Sequence, residues 1–138
     1  MILSNRCYYA LKAMLELAQQ ERGRTVTTNE IAQAQHIPPR FLETILRELK
    51  KNRYTESVRG KDGGYYLVKE PKQIRIGDII KLFEGPLFEM NNKHAHKNDH
   101  VFTEIWKEAE VALSSVYDSI TFEDLVRKSH QHVVDYSI

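Results

Sequence analysis

Two consecutive prolines, Pro38 and Pro39, separate two short stretches of helical periodicity and constrain the fold more than any other feature of the chain. Pro38 has no amide to donate and disfavours α geometry at Ile37, so a helix arriving here must end. Pro39 suits the first position of a new helix, where the amide would have no intrahelical partner. Upstream, Thr27-Thr28-Asn29-Glu30 has the spacing of a capping box and leads into Ile31, Ala32 and Ala34. Downstream, residues 39–51 gather Phe41, Leu42, Ile45, Leu46 and Leu49 on an inner face. Arg40, Glu43, Thr44, Arg47, Lys50 and Lys51 are left elsewhere on that surface. The expected geometry is two short helices meeting at the corner His36-Ile37-Pro38-Pro39.

Residues 54–58 and 65–68 read as strands flanking Arg59-Gly60-Lys61-Asp62-Gly63-Gly64, a hairpin with a basic tip. Helix, turn, helix and wing in that order point to a module that reads DNA. Charge agrees. The formal net charge is +1, but residues 1–75 hold 14 Lys and Arg against 8 Asp and Glu, while residues 76–138 hold 6 against 11. The basic half, net +6, contains the helix-turn-helix, as a surface facing phosphates requires.

The flanking elements follow the same logic. Ser4 is a plausible N-cap for a helix over residues 5–20, with Gly23 as its C-terminal stop. Thr25-Val26-Thr27 is expected to pair with the wing. Ile74, Ile76, Ile79, Ile80, Leu82 and Phe83 accompany a short helix over 77–84, stopped by Gly85-Pro86. Residues 85–99 form a polar, His-rich connection. A long helix over residues 100–119 carries Val101, Ile105, Ala109, Ala112, Val116 and Ile120 at three/four spacing, and Thr121 with Asp124 opens a last one. The first three helices already supply a core, so the long stripe is expected to pair with the same helix of a second copy. The fold class is therefore mainly α with a small β wing: a winged helix-turn-helix domain over residues 1–84 and dimerisation helices over 100–138.

These residues resemble the bacterial winged-helix regulators of the Rrf type, which include IscR, NsrR and CymR. The resemblance is carried by Tyr9-Ala10-Leu11, Phe41-Leu42-Glu43, Arg59-Gly60 with Gly63-Gly64-Tyr65, Glu84-Gly85-Pro86, Trp106 and Asp118-Ser119-Ile120-Thr121 with Asp124-Leu125. It implies a homodimer that binds double-stranded DNA through the wing and the second helix of the motif; a cytoplasmic location is expected from the lack of a membrane span or signal-like N-terminus. It also implies a role for Arg59 in the minor groove. Many members carry three cysteines after Glu-Gly-Pro that ligate an iron–sulfur cluster. Residues 87–102 contain none, which places this chain nearer the cysteine-poor, cluster-free branch.

Candidate DNA contacts are Thr28, Pro39, Arg40, Glu43, Thr44, Arg47 and Lys50, with Arg59, Gly60 and Lys61 on the wing. Arg40 and Thr44 lie near the start of the second helix, where side chains reach base edges. Glu43 suits a cytosine amine, and Arg47 a base or phosphate. Lys50, Lys51 and Arg53 suit backbone phosphates. His94, His96 and His100, with Met90 and Asp99, are the one metal-like constellation, although a solvated turn has the same composition. Cys7, near the first helix N-terminus and Arg6, is either a thiol of lowered pKa suited to sensing or a structural, partly buried group. A lone cysteine excludes an intrachain disulfide.

No apolar run approaches the ~20 residues of a membrane span. No Ser/His/Asp arrangement or phosphate-cradling loop opening a helix is present, so an enzyme is not expected. The leading expectation is a repressor on an imperfect palindromic operator, answering to a small-molecule or protein effector. The alternatives are a winged-helix protein-interaction module, or a metal-responsive regulator sensing through the histidine loop.

Overall fold

The computed structural model describes residues 3–86 and 96–136, and its organising element is the first helix, α1 (Asn5–Ala18). Ser4 caps it by accepting from the Cys7 amide at 3.1 Å. Ala10 and Ala13 are fully buried beside Met14 and Leu17. Their short side chains let neighbours approach on several sides, so α1 packs against four other helices and the second strand. The helix stops at the Gln19 cap, and Gly23 (φ 86°) lies beyond it, in a separate turn closed by Arg24 N–H to Glu21 O at 3.0 Å.

Helix α2 (Thr28–Gln35) starts where Thr27 accepts from the Glu30 amide at 3.1 Å. It ends at His36, whose left-handed backbone (φ 53°) turns the chain and lets Ile37 N–H reach Ala32 O at 3.0 Å. Pro38 then supplies the carbonyl that receives Phe41 N–H and Leu42 N–H, opening α3 (Pro39–Lys51) with Pro39 in its first position. Leu42, Ile45, Leu46 and Leu49 are buried to the last atom. Burying each contributes roughly 1.5–3 kcal/mol of transfer free energy. Phe41 departs from the expected inner face: it is 43% exposed and stacks on Tyr9 with ring centroids 6.2 Å apart. Positions 42, 45, 46 and 49 already fill the contact with α1, and position 41 falls at its edge.

The end of α3 aims the wing. Arg53 takes the left-handed conformation (φ 65°), Tyr54 N–H bonds Leu49 O at 2.9 Å and Arg53 N–H bonds Lys50 O at 3.0 Å. This paired pattern is a Schellman cap, with Arg at the position glycine usually takes. Strands β1 (Thr55–Val58) and β2 (Gly64–Leu67) pair antiparallel, Thr55 opposite Leu67 and Val58 opposite Gly64. Val26 adds a single bridge to Tyr65, with both hydrogen bonds at 2.8 Å. Gly64 permits this approach, since a Cβ there would lie 2.6 Å from the Val26 carbonyl oxygen.

A 3-10 turn (Pro71–Gln73) leads to α4 (Ile76–Glu84), then α5 (His100–Tyr117) and α6 (Phe122–Tyr136). Thr121 and Asp124 form a reciprocal capping box at 2.9 and 3.1 Å. The grouping of residues 100–138 as dimerisation helices does not follow the packing. Phe122 is fully buried in the winged-helix core, and its amide bonds Ile74 O at 3.0 Å. Ile76 N–H bonds Ile120 O at 2.9 Å, and Gln19 reaches Ser129 at 3.2 Å. Helix α6 therefore completes the winged-helix core, whereas α5 has no fully buried residue and meets that core at its C-terminal end, where Asp118 receives Lys81. Most of the connection over residues 85–99, including His94 and Met90, lies outside the described residues.

Candidate nucleic-acid interface

Burying one face of α3 forces its other residues outward. Pro39, Arg40, Glu43, Thr44, Arg47 and Lys50 are all exposed, on one helix that begins at the corner with α2. Thr28, the first residue of α2, is half-buried at the same corner. The Arg40 guanidinium lies over the Phe41 ring, 4.7 Å from its centroid. Phe41 in turn leans on Tyr9, so an aromatic pair braces the first turn of the helix. Helical spacing alone places Phe41 on the inner face and so gives no sign of this brace. Thr44 Oγ1 donates to the Phe41 carbonyl at 2.9 Å, which orients its hydroxyl along the helix.

Lys50, expected to contact phosphate, is also engaged within the fold. Its ammonium donates to Ser57 Oγ at 2.7 Å and pairs with Glu56 at 3.3 Å, so it ties α3 to β1. The Glu56 carboxyl is held below its usual range, chiefly by the Ser57 backbone N–H at 3.0 Å and then by Lys50. The pair is solvent-exposed and contributes little to stability. Its geometric effect is to fix the wing relative to the helix.

At the wing tip, Arg59, Gly60 and Lys61 are exposed. Gly60 has φ 109°, and its carbonyl receives Gly63 N–H at 3.0 Å. A Cβ on Gly63 would lie 2.5 Å from the Val58 carbonyl oxygen, so the tip is built for glycine. Thr25 Oγ1 donates to the Asp62 carbonyl at 2.8 Å and steadies the tip from the side. Among the described residues, Arg40, Arg47, Arg59 and Lys61 have no carboxylate within ion-pair distance. A helix and a wing thus present uncompensated cations beside one another, the combination that engages a groove and its flanking phosphates.

A family model described as "Rrf2: Iron-dependent Transcriptional regulator" matches residues 3–128. The chain belongs to the Rrf2 family. Among its Rrf2 relatives, the regulator CymR of Bacillus subtilis is 33% identical over 91% of this chain and 89% of its own length. NsrR of Geobacillus kaustophilus is 33% identical over 91% and 90%. The solved structure of B. subtilis CymR, titled the global cysteine regulator, superposes with a TM-score of 0.82 at 31% identity, covering 93% of this chain and 98% of CymR. That of T. potens IscR gives 0.78 at 32% identity, covering 94% and 88%. As an Rrf2 protein the chain is a winged-helix transcriptional regulator, of a family whose named relatives are regulators and not enzymes. Among its described residues no helix is long and apolar enough to cross a membrane.

The Rrf2 description invites a test for iron, and the donors present do not fit a thiolate-ligated cluster. Cys7 is the single cysteine and is fully buried. Contrary to the lowering expected at a helix N-terminus, its thiol is pushed up to about 12, first by burial and then by the neighbouring Glu84 carboxylate. Arg6 lies over the Phe83 ring, 5.1 Å from its centroid. Among the described residues no three His, Cys, Asp or Glu side chains group as metal ligands. His96 and His100 are both exposed near the start of α5, where the His96 amide donates to Asp99 and the His100 ring lies 3.2 Å from the Lys97 carbonyl.

The stripe expected to pair with a second copy is mostly exposed on α5. Val101 (45%), Ile105 (53%) and Val116 (54%) are exposed, as is Ala112, and Ala109 is half-buried. Phe102, Trp106 and Val111 extend the apolar surface. Ile120 lies beyond the end of α5, in the link to α6. Tyr8 is exposed, and Tyr9 packs on Phe41.

Proposed function

We propose that this chain is a homodimeric repressor that binds an imperfect palindrome in double-stranded DNA. Arg40, Glu43, Thr44 and Arg47 meet base edges and phosphates in the major groove, with Thr28 and Pro39 at the helix start. Arg59 and Lys61 reach the adjoining minor groove, which Gly60 lets the backbone approach. The observation that carries the reading is the division of labour between two exposed surfaces. Helix α3 and the wing offer unpaired cations, while the 18-residue α5 has no fully buried residue and exposes Val101, Phe102, Ile105 and Val116.

An apolar helix of that length gains by pairing with its copy across a two-fold axis. Two reading heads would then lie about one turn of duplex (~34 Å) apart. Repression would follow from occupying a promoter, and no thiolate-ligated cluster takes part. Hydroxyl-radical footprinting on genomic fragments retained by the protein tests this. Two protected segments about 10 base pairs apart (~34 Å) are expected. A single protected segment, together with a monomeric mass by light scattering, would refute it.

A further inference from the structure

A cleft of about 400 Å³ opens between the end of α1, the turn after it, β2, the 3-10 turn and the start of α6. That volume falls within the ~300–1,000 Å³ of small-molecule sites. Its lining is apolar at Leu17, Leu67, Pro71 and Val126 and charged around them. Glu70 neutralises two of the cations, bonding Arg22 and pairing with Lys72 at 3.2 Å. What remains is balanced. Arg24 and Lys69 have no carboxylate partner among the described residues, and neither Glu21 nor Glu123 has a cationic one. A free cation at Arg24, a second cation at Lys69 that rests 5.5 Å from the Tyr54 ring centroid, two free negative groups and an apolar wall match a ligand carrying both charges on a short hydrocarbon body. A net anion or a net cation would leave half of this lining repelling it.

We propose that this cleft binds a small zwitterion of the amino-acid class with an apolar side chain, and that occupancy shifts the wing. The connection is short. The turn that carries Glu21 and Arg24 continues into Thr25, whose hydroxyl holds the Asp62 carbonyl at the wing tip at 2.8 Å. Val26 follows, bridged to Tyr65 on β2. Tyr66 and Leu67 of the same strand line the cleft. A ligand drawing in Arg24 therefore displaces the segment that positions Arg59 and Lys61. The coupling to the wing rests on the proposed DNA-binding function, whereas the ligand site does not.

Isothermal titration of the full chain, without DNA, with leucine, methionine, valine and phenylalanine tests the site. One of them is expected to bind saturably, one per chain. Its analogues lacking either the amine or the carboxylate should bind about tenfold or more weakly, the loss of one charge-assisted contact. Val126→Trp, which fills the apolar wall, should abolish binding. An Arg24→Ala/Lys69→Ala double variant, both changes being at exposed positions, should weaken it and keeps the test decisive if the tryptophan variant does not fold. No saturable binding by any probe, or binding unchanged in the double variant, would overturn the site. Saturable binding that leaves DNA affinity unaltered would overturn the link to the wing. A protein that binds the amino acid but no DNA would refute the proposed function while supporting the site.

Discussion

Gly77 lies so close to Asp118 that a Cβ at position 77 would sit 1.9 Å from the Asp118 Oδ1 atom. Asp118 caps α5, receives Lys81 Nζ at 3.0 Å and offers its carbonyl to Arg75 at 2.9 Å. The missing side chain of Gly77 thus lets the end of α5 lock onto α4. Gly77→Ala is expected to drive the carboxylate away and cost about 1 kcal/mol, the scale of an exposed ion pair plus rotamer strain. In an Asp118→Ala background the same change should be neutral or slightly stabilising, because alanine is the better helix former. Denaturant titration of the four proteins checks this, and equal costs in both backgrounds would show that the contact is idle.

Phe122 is where α6 enters the core. Phe122→Ala should destabilise the fold by about 3–5 kcal/mol, the range for a buried aromatic replaced by a methyl group. Increased amide exchange along α6 should accompany it. A loss below about 1 kcal/mol would mean that α6 does not belong to the DNA-reading body.

Arg53 carries a positive φ without being glycine. Arg53→Gly should relieve left-handed strain and raise stability by about 0.5–1 kcal/mol, the strain relieved less the added freedom of the unfolded chain. The same variant loses a cation beside the recognition helix and should bind duplex DNA more weakly. A lower melting temperature would contradict the cap geometry.

Burial raises the Cys7 thiol from its ordinary 9.0 to about 12. The unfolded chain therefore releases this proton at lower pH than the folded chain does. Stability from this group is complete below pH 9 and declines as pH rises toward 12. Relative to Cys7→Ala, the wild-type chain should lose about 1 kcal/mol of stability between pH 8 and pH 10. Native protein should resist a thiol reagent at neutral pH and react once unfolded. Rapid labelling of the native state would revive a sensing role for this thiol.

Much of the architecture was legible because it is written locally. Pro38-Pro39 breaks one helix and starts the next, Thr27 and Thr121 mark caps, and glycines at 60, 63 and 64 demand a tight hairpin. Non-local packing was not legible. Nothing near Phe122 announces that it meets Ile74 and α1, so α6 was grouped with α5. At Phe41 the helical period is right, but the limit of the surface α1 offers is a tertiary fact. Cys7 shows the same conflict, with desolvation outweighing the helix N-terminus. Lys50 reads as a free cation until the fold brings Ser57 and Glu56 beside it. The cleft near Arg24 draws on three separated stretches, residues 17–24, 66–72 and 123–126, and has no signature in any one of them.

The central claim is that α3 and the wing form one DNA-reading surface with Arg59 at its edge. Equilibrium binding to a palindromic duplex, chosen from retained genomic fragments, should be measured across a salt series for the wild type and Arg59→Ala. The logarithm of the wild-type association constant should fall linearly with the logarithm of salt concentration, as released counterions require. Arg59→Ala should bind more weakly, with a slope shallower by about one unit. An affinity indifferent to salt, or an Arg59→Ala line lying on the wild-type line, would contradict the account.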